Sequence, residues 1–368
     1  VNDTPTKIIN KILIIFFISY SMKHYLLLLI FLSINLYPQW ALWANPSLPV
    51  GNADNGVGLW TGQIMFSTNY NFQYIDWSHD EIMGEDFKHN GNLITNIISP
   101  TFTIGISDYF NISYQQVFGI RSMNFYGNQE SEHHRDEHTL SDFLNAKGGI
   151  IGDANIKLKY LLTNTGALSG SRIFFGAGIT IPSNSVLTAD PFEESVDGTA
   201  LNDHRHFSLS EGVYKSNYEL QYYIKTISDK KFMPTFYGLT YNHINPISKS
   251  DYGYLPGNTN SIIGSVLFST QLKNKWSPKG LSLGLVYLQT DKGYWNNVYA
   301  PYSDTKVLIP SIGLIFTNME YGSFSLNLKF NINNGAIPES APTSNVSVIE
   351  LSIGYRKTLD YVIPWLYY

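Results

Sequence analysis

The feature that most constrains this chain is a two-residue alternation of apolar and polar side chains, sustained over stretches too long for most soluble strands. In residues 151–166, IGDANIKLKYLLTNTG, Ile156, Leu158, Tyr160 and Leu162 fill alternate positions around Lys157 and Lys159. A strand points successive side chains to opposite faces, so this stretch is a ribbon with one apolar and one polar side. In 60–75, Ile64, Phe66, Tyr70, Phe72 and Tyr74 alternate with Gln63, Ser67, Asn69, Asn71 and Gln73. In 214–225, Tyr218, Leu220, Tyr222 and Ile224 alternate with Asn217, Glu219, Gln221 and Lys225. In 323–332, Phe324, Leu326, Leu328 and Phe330 alternate with Ser325, Asn327, Lys329 and Asn331. Twelve strands are expected, near 59–75, 92–106, 109–124, 150–163, 171–182, 212–228, 232–245, 259–273, 280–290, 305–317, 321–333 and 346–358. Most exceed the roughly 9–11 residues that cross a bilayer and the usual five or six of a soluble strand.

The connections carry a second signal. Short ones fall at 107–108, 164–170, 229–231, 274–279 and 318–320, and long ones at 76–91, 125–149, 183–211, 246–258, 291–304 and 334–345. Long and short alternate throughout. Bacterial outer-membrane barrels have short periplasmic turns and long outer loops, whereas a soluble sandwich gives no reason for the alternation. The expected fold is all-β, a transmembrane antiparallel β-barrel of about twelve strands.

In a barrel the polar face is the lumen. A lysine on the lipid side at mid-membrane costs roughly 2–4 kcal/mol, so Lys157 and Lys159 are expected to point inward. The same rule lines the pore with Arg121, Asp153, Arg172, Lys215, Glu219, Lys225, Lys329, Glu350 and Arg356. Cations outnumber acids in that set, so the pore is expected to be narrow and basic, with the acid gathered in the loops at the mouth. The constriction is expected at Lys157, Lys159 and Arg172, which lie on adjacent strands.

Composition agrees. Aromatics are 15% and charged residues 14% of the 368 residues, against roughly 25% charged in an average soluble domain. With no cysteine there is no disulfide. A net charge of −5 has no basic signature and argues against a nucleic-acid partner. Residues 22–44 read as a signal peptide, with Lys23 and His24 ahead of an apolar stretch from Tyr25 to Tyr37 and the small Ala44 at its end. A retained inner-membrane anchor is the alternative. The expected organisation is 1–44 as upstream extension plus signal peptide starting at Met22, and 45–56 as a periplasmic or lumenal segment able to plug the pore. The barrel then covers 57–359, and 360–368 form a C-terminal tail, because Pro364 ends the sealing strand near Leu359. The expected location is the outer membrane of a Gram-negative bacterium, with outer-membrane lipid and lipopolysaccharide as surroundings.

Four segments, GDANIKLKYLL (152–162), FGAGITIPSNS (175–185), HFSLSEGVYKSNYELQYY (206–223) and DYGYLPGNTNSIIGS (251–265), resemble, in this order, the bacterial outer-membrane proteins of the phenol-degradation meta-pathway transporter family. The family's Pro-Thr-Gly at the end of the strand after Gly-Asp is here Pro182-Ser183-Asn184. The resemblance implies a barrel that passes small hydrophobic or aromatic solutes across the outer membrane, without cofactor. The final Tyr368 resembles the terminal aromatic of outer-membrane barrels, which implies the outer-membrane assembly machinery as a partner.

Other groups have competing readings. Asp153, after Gly152, either pairs with Lys157 or Arg172 at a constriction or opens the strand. Tyr252 and Tyr254, before Pro256-Gly257, are either a solute-capturing mouth or part of the interfacial girdle. His134 and His138 in ESEHHRDEH (130–138) have a metal-like spacing, but an acidic solvated loop accounts for them. His206 and Ser208 share one face of a strand and suggest a phospholipase-like barrel, yet no orienting third group is visible. No catalytic residue and no metal is assigned. The reading is passive uptake through the lumen; a lipid hydrolase or a non-transporting structural barrel are the alternatives.

Overall fold

A strand edge in lipid leaves N–H and C=O groups with nothing to bond, so a sheet can cross a membrane only if it closes on itself. This chain closes. In the computed structural model, β1 (Gln63–His79) runs antiparallel to β12 (Ser344–Val362), from Gln63 opposite Val362 to His79 opposite Ser344. Between them lie β2 (His89–Ile98 and Thr101–Gly105), β3 (Phe110–Phe125), β4 (Ile151–Asn164), β5 (Gly170–Ile181) and β6 (Lys215–Lys225). Then come β7 (Pro234–Pro246), β8 (Thr259–Ser269), β9 (Gly280–Thr290), β10 (Thr305–Asn318) and β11 (Gly322–Phe330). Each pairs with its sequence neighbours, so the order around the barrel is the chain order. All twelve expected strands are present. The structure describes residues 59–79, 87–126, 137–138, 149–166, 169–190, 208–228, 230–274, 276–300, 303–318, 321–330 and 344–366. The N-terminal calls on 1–44 and 45–56 therefore lie outside the described residues.

Two departures from the expected boundaries have a local cause. The second strand breaks at Ser99-Pro100 because proline has no N–H to give the ladder; Ser99 still donates to the Asn69 carbonyl at 2.8 Å. The sealing strand runs past Leu359 to Val362, and the Ile363 N–H reaches the Gly62 carbonyl at 2.8 Å. Pro364 then starts a short 3-10 turn, Pro364–Leu366.

The outer surface carries an apolar belt. Leu158, Leu162, Leu220, Leu239, Ile262, Leu283, Ile312, Leu326 and Ile353 are all exposed, a surface untenable in water and suited to hydrocarbon. The barrel spans a membrane. Its interior is two-sided. From β11 through β12 and β1 to β6 the inward residues are mostly polar, as the alternation implied. On β8–β10 they are mixed: Ile263, Leu267, Val286, Leu288, Val307, Ile309 and Ile315 point inward and are buried, in one cluster with Leu161, Phe174, Tyr223 and Phe236, and Ser261, Ser282 and Ser311 are buried on the same face. Each such aliphatic side chain contributes roughly 1.5–3 kcal/mol when removed from water. The inner face of these strands mixes aliphatic side chains with serines, so the expectation of a polar lumen holds only in part.

Candidate solute pathway

The barrel encloses a cavity of about 540 Å³, within the roughly 300–1,000 Å³ of small-molecule sites. Ser67, Asn69, Asn71 and Gln73 of β1 line it on one side, and Phe174, Tyr223, Ile263 and Ile315 supply an apolar rim. A ladder of side-chain hydrogen bonds crosses the polar wall. Gln115 donates to Thr101 at 3.2 Å, Asn155 to Gln115 at 3.4 Å, Thr180 to Asn155 at 2.6 Å and Asn217 to Thr180 at 2.8 Å. Links between neighbouring strands hold these amides in fixed positions around the cavity.

Next to this ladder, toward the short-turn end, sits the charged group that the sequence pointed to. Lys157 Nζ lies 2.8 Å from Glu219 Oε2, and Lys159 Nζ lies 3.2 Å from Glu219 Oε1. Lys159 also donates to Gln221 Oε1 at 3.1 Å. The lysines stand on β4 and the acid on β6, two strand spacings apart, roughly 9.5 Å. What lets them meet is β5, whose inward positions between them are Gly176 and Gly178. A Cβ at Gly178 would lie 2.5 Å from the Ile156 carbonyl oxygen, and one at Gly176 would crowd the Glu219 side chain at 3.2 Å. The lysine side chains keep 31% and 24% of their surface exposed while Glu219 keeps 9%. The acid is therefore the backing and the two ammonium groups face the cavity, a cluster with one net positive charge.

The other pore-lining candidates are distributed along the barrel. Arg172 does not join the lysines: it lies at the short-turn end of β5, opposite Asn164, and donates to the Gly166 carbonyl at 2.6 Å. The expected grouping of three cations is thus not formed: Lys157 and Lys159 meet Glu219, because β5 contributes glycines at that level. Lys329 and Glu350 form a buried pair at 2.6 Å, and Glu350 also accepts from Ser352 at 3.1 Å. Asp153 accepts from the Ser183 N–H at 3.0 Å, near the long-loop end, instead of pairing with Lys157. Lys215 pairs with Glu211, an acid absent from the expected set. Arg121 and Arg356 line the cavity; Lys225 lies at the short-turn end of β6. With Glu211 counted beside Asp153, Glu219 and Glu350, the acids lining the cavity nearly match Arg121, Lys157, Lys159, Lys215 and Arg356. The local surplus at the lysine pair matters more than the lumen as a whole.

At the long-loop end a segment folds inward. Leu209 is buried, its N–H held at 3.0 Å by the Ser185 carbonyl, and Arg121 reaches the Ser208 carbonyl at 3.4 Å. Gly119 makes room, since a Cβ there would be 2.9 Å from Leu209 Cδ2. Ser208 therefore serves through its backbone and stands on no strand, while His206 lies outside the described residues. Nothing in the sequence marked Leu209 as an inward wedge. Tyr254 and Leu255 belong to a small three-stranded sheet with Tyr294–Trp295 and Val298–Tyr299. The Tyr254 ring packs 4.9 Å from Trp295, and burial, with Glu211 adding to it, raises the Tyr254 hydroxyl above its ordinary range. Tyr252 is exposed beside it. The acidic 130–138 loop is outside the described residues except for the backbone of Glu137–His138, which pairs with Ser122–Met123.

Comparison with known proteins bears on the fold. No protein-family model and no curated protein matches the sequence. Among solved structures, an outer membrane channel from Pseudomonas putida F1 superposes with a TM-score of 0.52 at 11% identity, over 82% of this chain and 98% of that one. The Pseudomonas putida toluene transporter TodX gives 0.37 at 10% identity, over 87% and 95%. The translocator domain of autotransporter NalP from Neisseria meningitidis gives 0.38 at 9%, over 84% and 93%. The first likeness establishes a shared barrel architecture, the fold that the sequence motifs implied.

Proposed function

We propose that this protein is an outer-membrane channel of a Gram-negative bacterium for passive uptake of small hydrophobic or aromatic compounds, and not an enzyme. The observation that carries the reading is the closed barrel's cavity of about 540 Å³, whose polar walls meet an apolar rim of Phe174, Tyr223, Ile263 and Ile315. A rigid amide ladder keeps a polar solute hydrated while it passes, and the apolar rim gives a ring a surface to touch. The fold shared with the Pseudomonas channel, and the motifs resembling the meta-pathway transporter family, support the same assignment. The short-turn end then faces the periplasm and the long loops face out, with lipopolysaccharide around the mouth. Passive diffusion needs no energy-coupling element.

The test is solute flux. Full-length protein, refolded into liposomes and shown to be folded by heat-modifiable gel mobility, is expected to admit benzyl alcohol faster than empty vesicles do. Folded protein that leaves the rate unchanged would move the structural-barrel reading ahead. Lipid hydrolysis abolished by Ser208→Ala would restore the hydrolase.

A further inference from the structure

We infer that Lys157, Lys159 and Glu219, floored by Gly176 and Gly178, form a binding site for the carboxylate of a small aromatic monoanion. The inference rests on the channel reading and names the solute class that this group takes.

The geometry fits one negative charge. Glu219 spends its carboxylate on the two lysines, at 2.8 and 3.2 Å. Each ammonium has three N–H donors; one from Lys157 goes to Glu219, and one from Lys159 goes to Gln221 at 3.1 Å. Donors remain, and the lysines are the exposed members of the group. Two cations against one acid leave a single positive charge on the cavity side. A bare lysine pair would hold an anion tightly and release it slowly. A pair neutralised by half binds weakly enough for transit, which conduction requires.

The surroundings select the rest of the molecule. One inward step from Gly176 and Glu219 toward the short-turn end come Phe174 and Gln221, and one further come Arg172 and Tyr223. An inward step is roughly 6.6 Å, about the length of a benzoate. A carboxylate on the lysines therefore puts its ring beside Phe174 and Tyr223, whose rings meet edge-on at 6.1 Å and which both line the cavity. In the other direction the ladder of Asn155, Thr180 and Asn217 offers amides and hydroxyls, suited to an approaching hydrated carboxylate. The missing side chains on β5 let the lysines and Glu219 close over it: a Cβ at 178 would meet the Ile156 carbonyl oxygen at 2.5 Å.

The experiment compares benzoate with benzyl alcohol in liposomes bearing the full-length protein, and records the reversal potential in a salt gradient. Glu219→Gln raises the cluster's formal charge by one. Anion preference is expected to increase, and benzoate is expected to block the ion current at about tenfold lower concentration. Lys157→Met with Lys159→Met is expected to lower the ratio of benzoate flux to benzyl alcohol flux about tenfold. Should the double variant fail to fold, Lys159→Gln is expected to shift the same ratio in the same direction. If benzyl alcohol passes and the benzoate ratio ignores all these variants, the site is overturned and the channel stands. If neither solute passes through folded wild-type protein, it is the channel reading that fails.

Discussion

Two of the lysine–glutamate arrangements in the lumen differ in what surrounds the cation. Lys329 and Glu350, on adjacent strands β11 and β12, are one to one and keep 2% and 7% of their side-chain surface. Lys157 and Lys159 share Glu219 across a glycine strand, and the cations stay open to the cavity. A buried pair hydrogen-bonded on its flanks is a structural clamp, because neither charge can find water if its partner is lost. A half-open pair with an unmatched cation can exchange its remaining bonds with a solute at little cost. Sign and residue type are the same in both places; burial of the ammonium separates the clamp from the proposed solute site.

The sharpest way to break this comparison is Glu350→Gln. It leaves the Lys329 charge buried, and the barrel is expected to lose about 3–5 kcal/mol, read as an earlier urea midpoint in heat-modifiable gel mobility. Gly178→Val comes next. Its Cβ meets the Ile156 carbonyl and the Lys157 backbone, so about 1–3 kcal/mol should be lost together with the benzoate preference. Glu219→Gln should cost about 1 kcal/mol or less, because Lys157 and Lys159 turn to cavity water. A loss as large as that of Glu350→Gln would erase the distinction.

The smallest effect lies outside the lumen. Asp108, in the turn between β2 and β3, accepts from the Thr61 N–H at 3.1 Å and its Oγ1 at 2.9 Å, and these bonds hold the carboxyl below its usual range. A carboxyl with a depressed value stabilises the fold above its unfolded value, and that contribution fades as pH falls through the folded one. The difference between wild type and Asp108→Asn should therefore be present at pH 6 and shrink well below pH 4. A difference that grows on acidification would refute this role for Asp108.

Strand number, strand order and the inward placement of Lys157, Lys159, Glu219, Lys329 and Glu350 were all legible in the chain. Each follows from the two-residue period, which is local, and from the cost of a charge in lipid. Arg172 also points inward, but it does not stand at the level of the lysines. Knowing that β4 and β5 are neighbours does not give their register, and register puts Arg172 opposite Asn164 and glycines opposite the lysines. Glu211 and Leu209 were missed for a related reason: they lie on a loop that folds into the lumen, where no periodicity applies. The aliphatic patch inside β8–β10 was hidden because the inner face there mixes Ile263, Val286, Leu288, Val307 and Ile309 with serines, which weakens the alternation. By itself, then, the sequence determined a closed twelve-stranded barrel and which lysines face inward, since backbone pairing and side-chain alternation are read along the chain. Which acid neutralises which cation, how open each cation stays, and which loop residues enter the lumen were decided by the tertiary structure, because they depend on register between strands and on loops that return from outside the sheet.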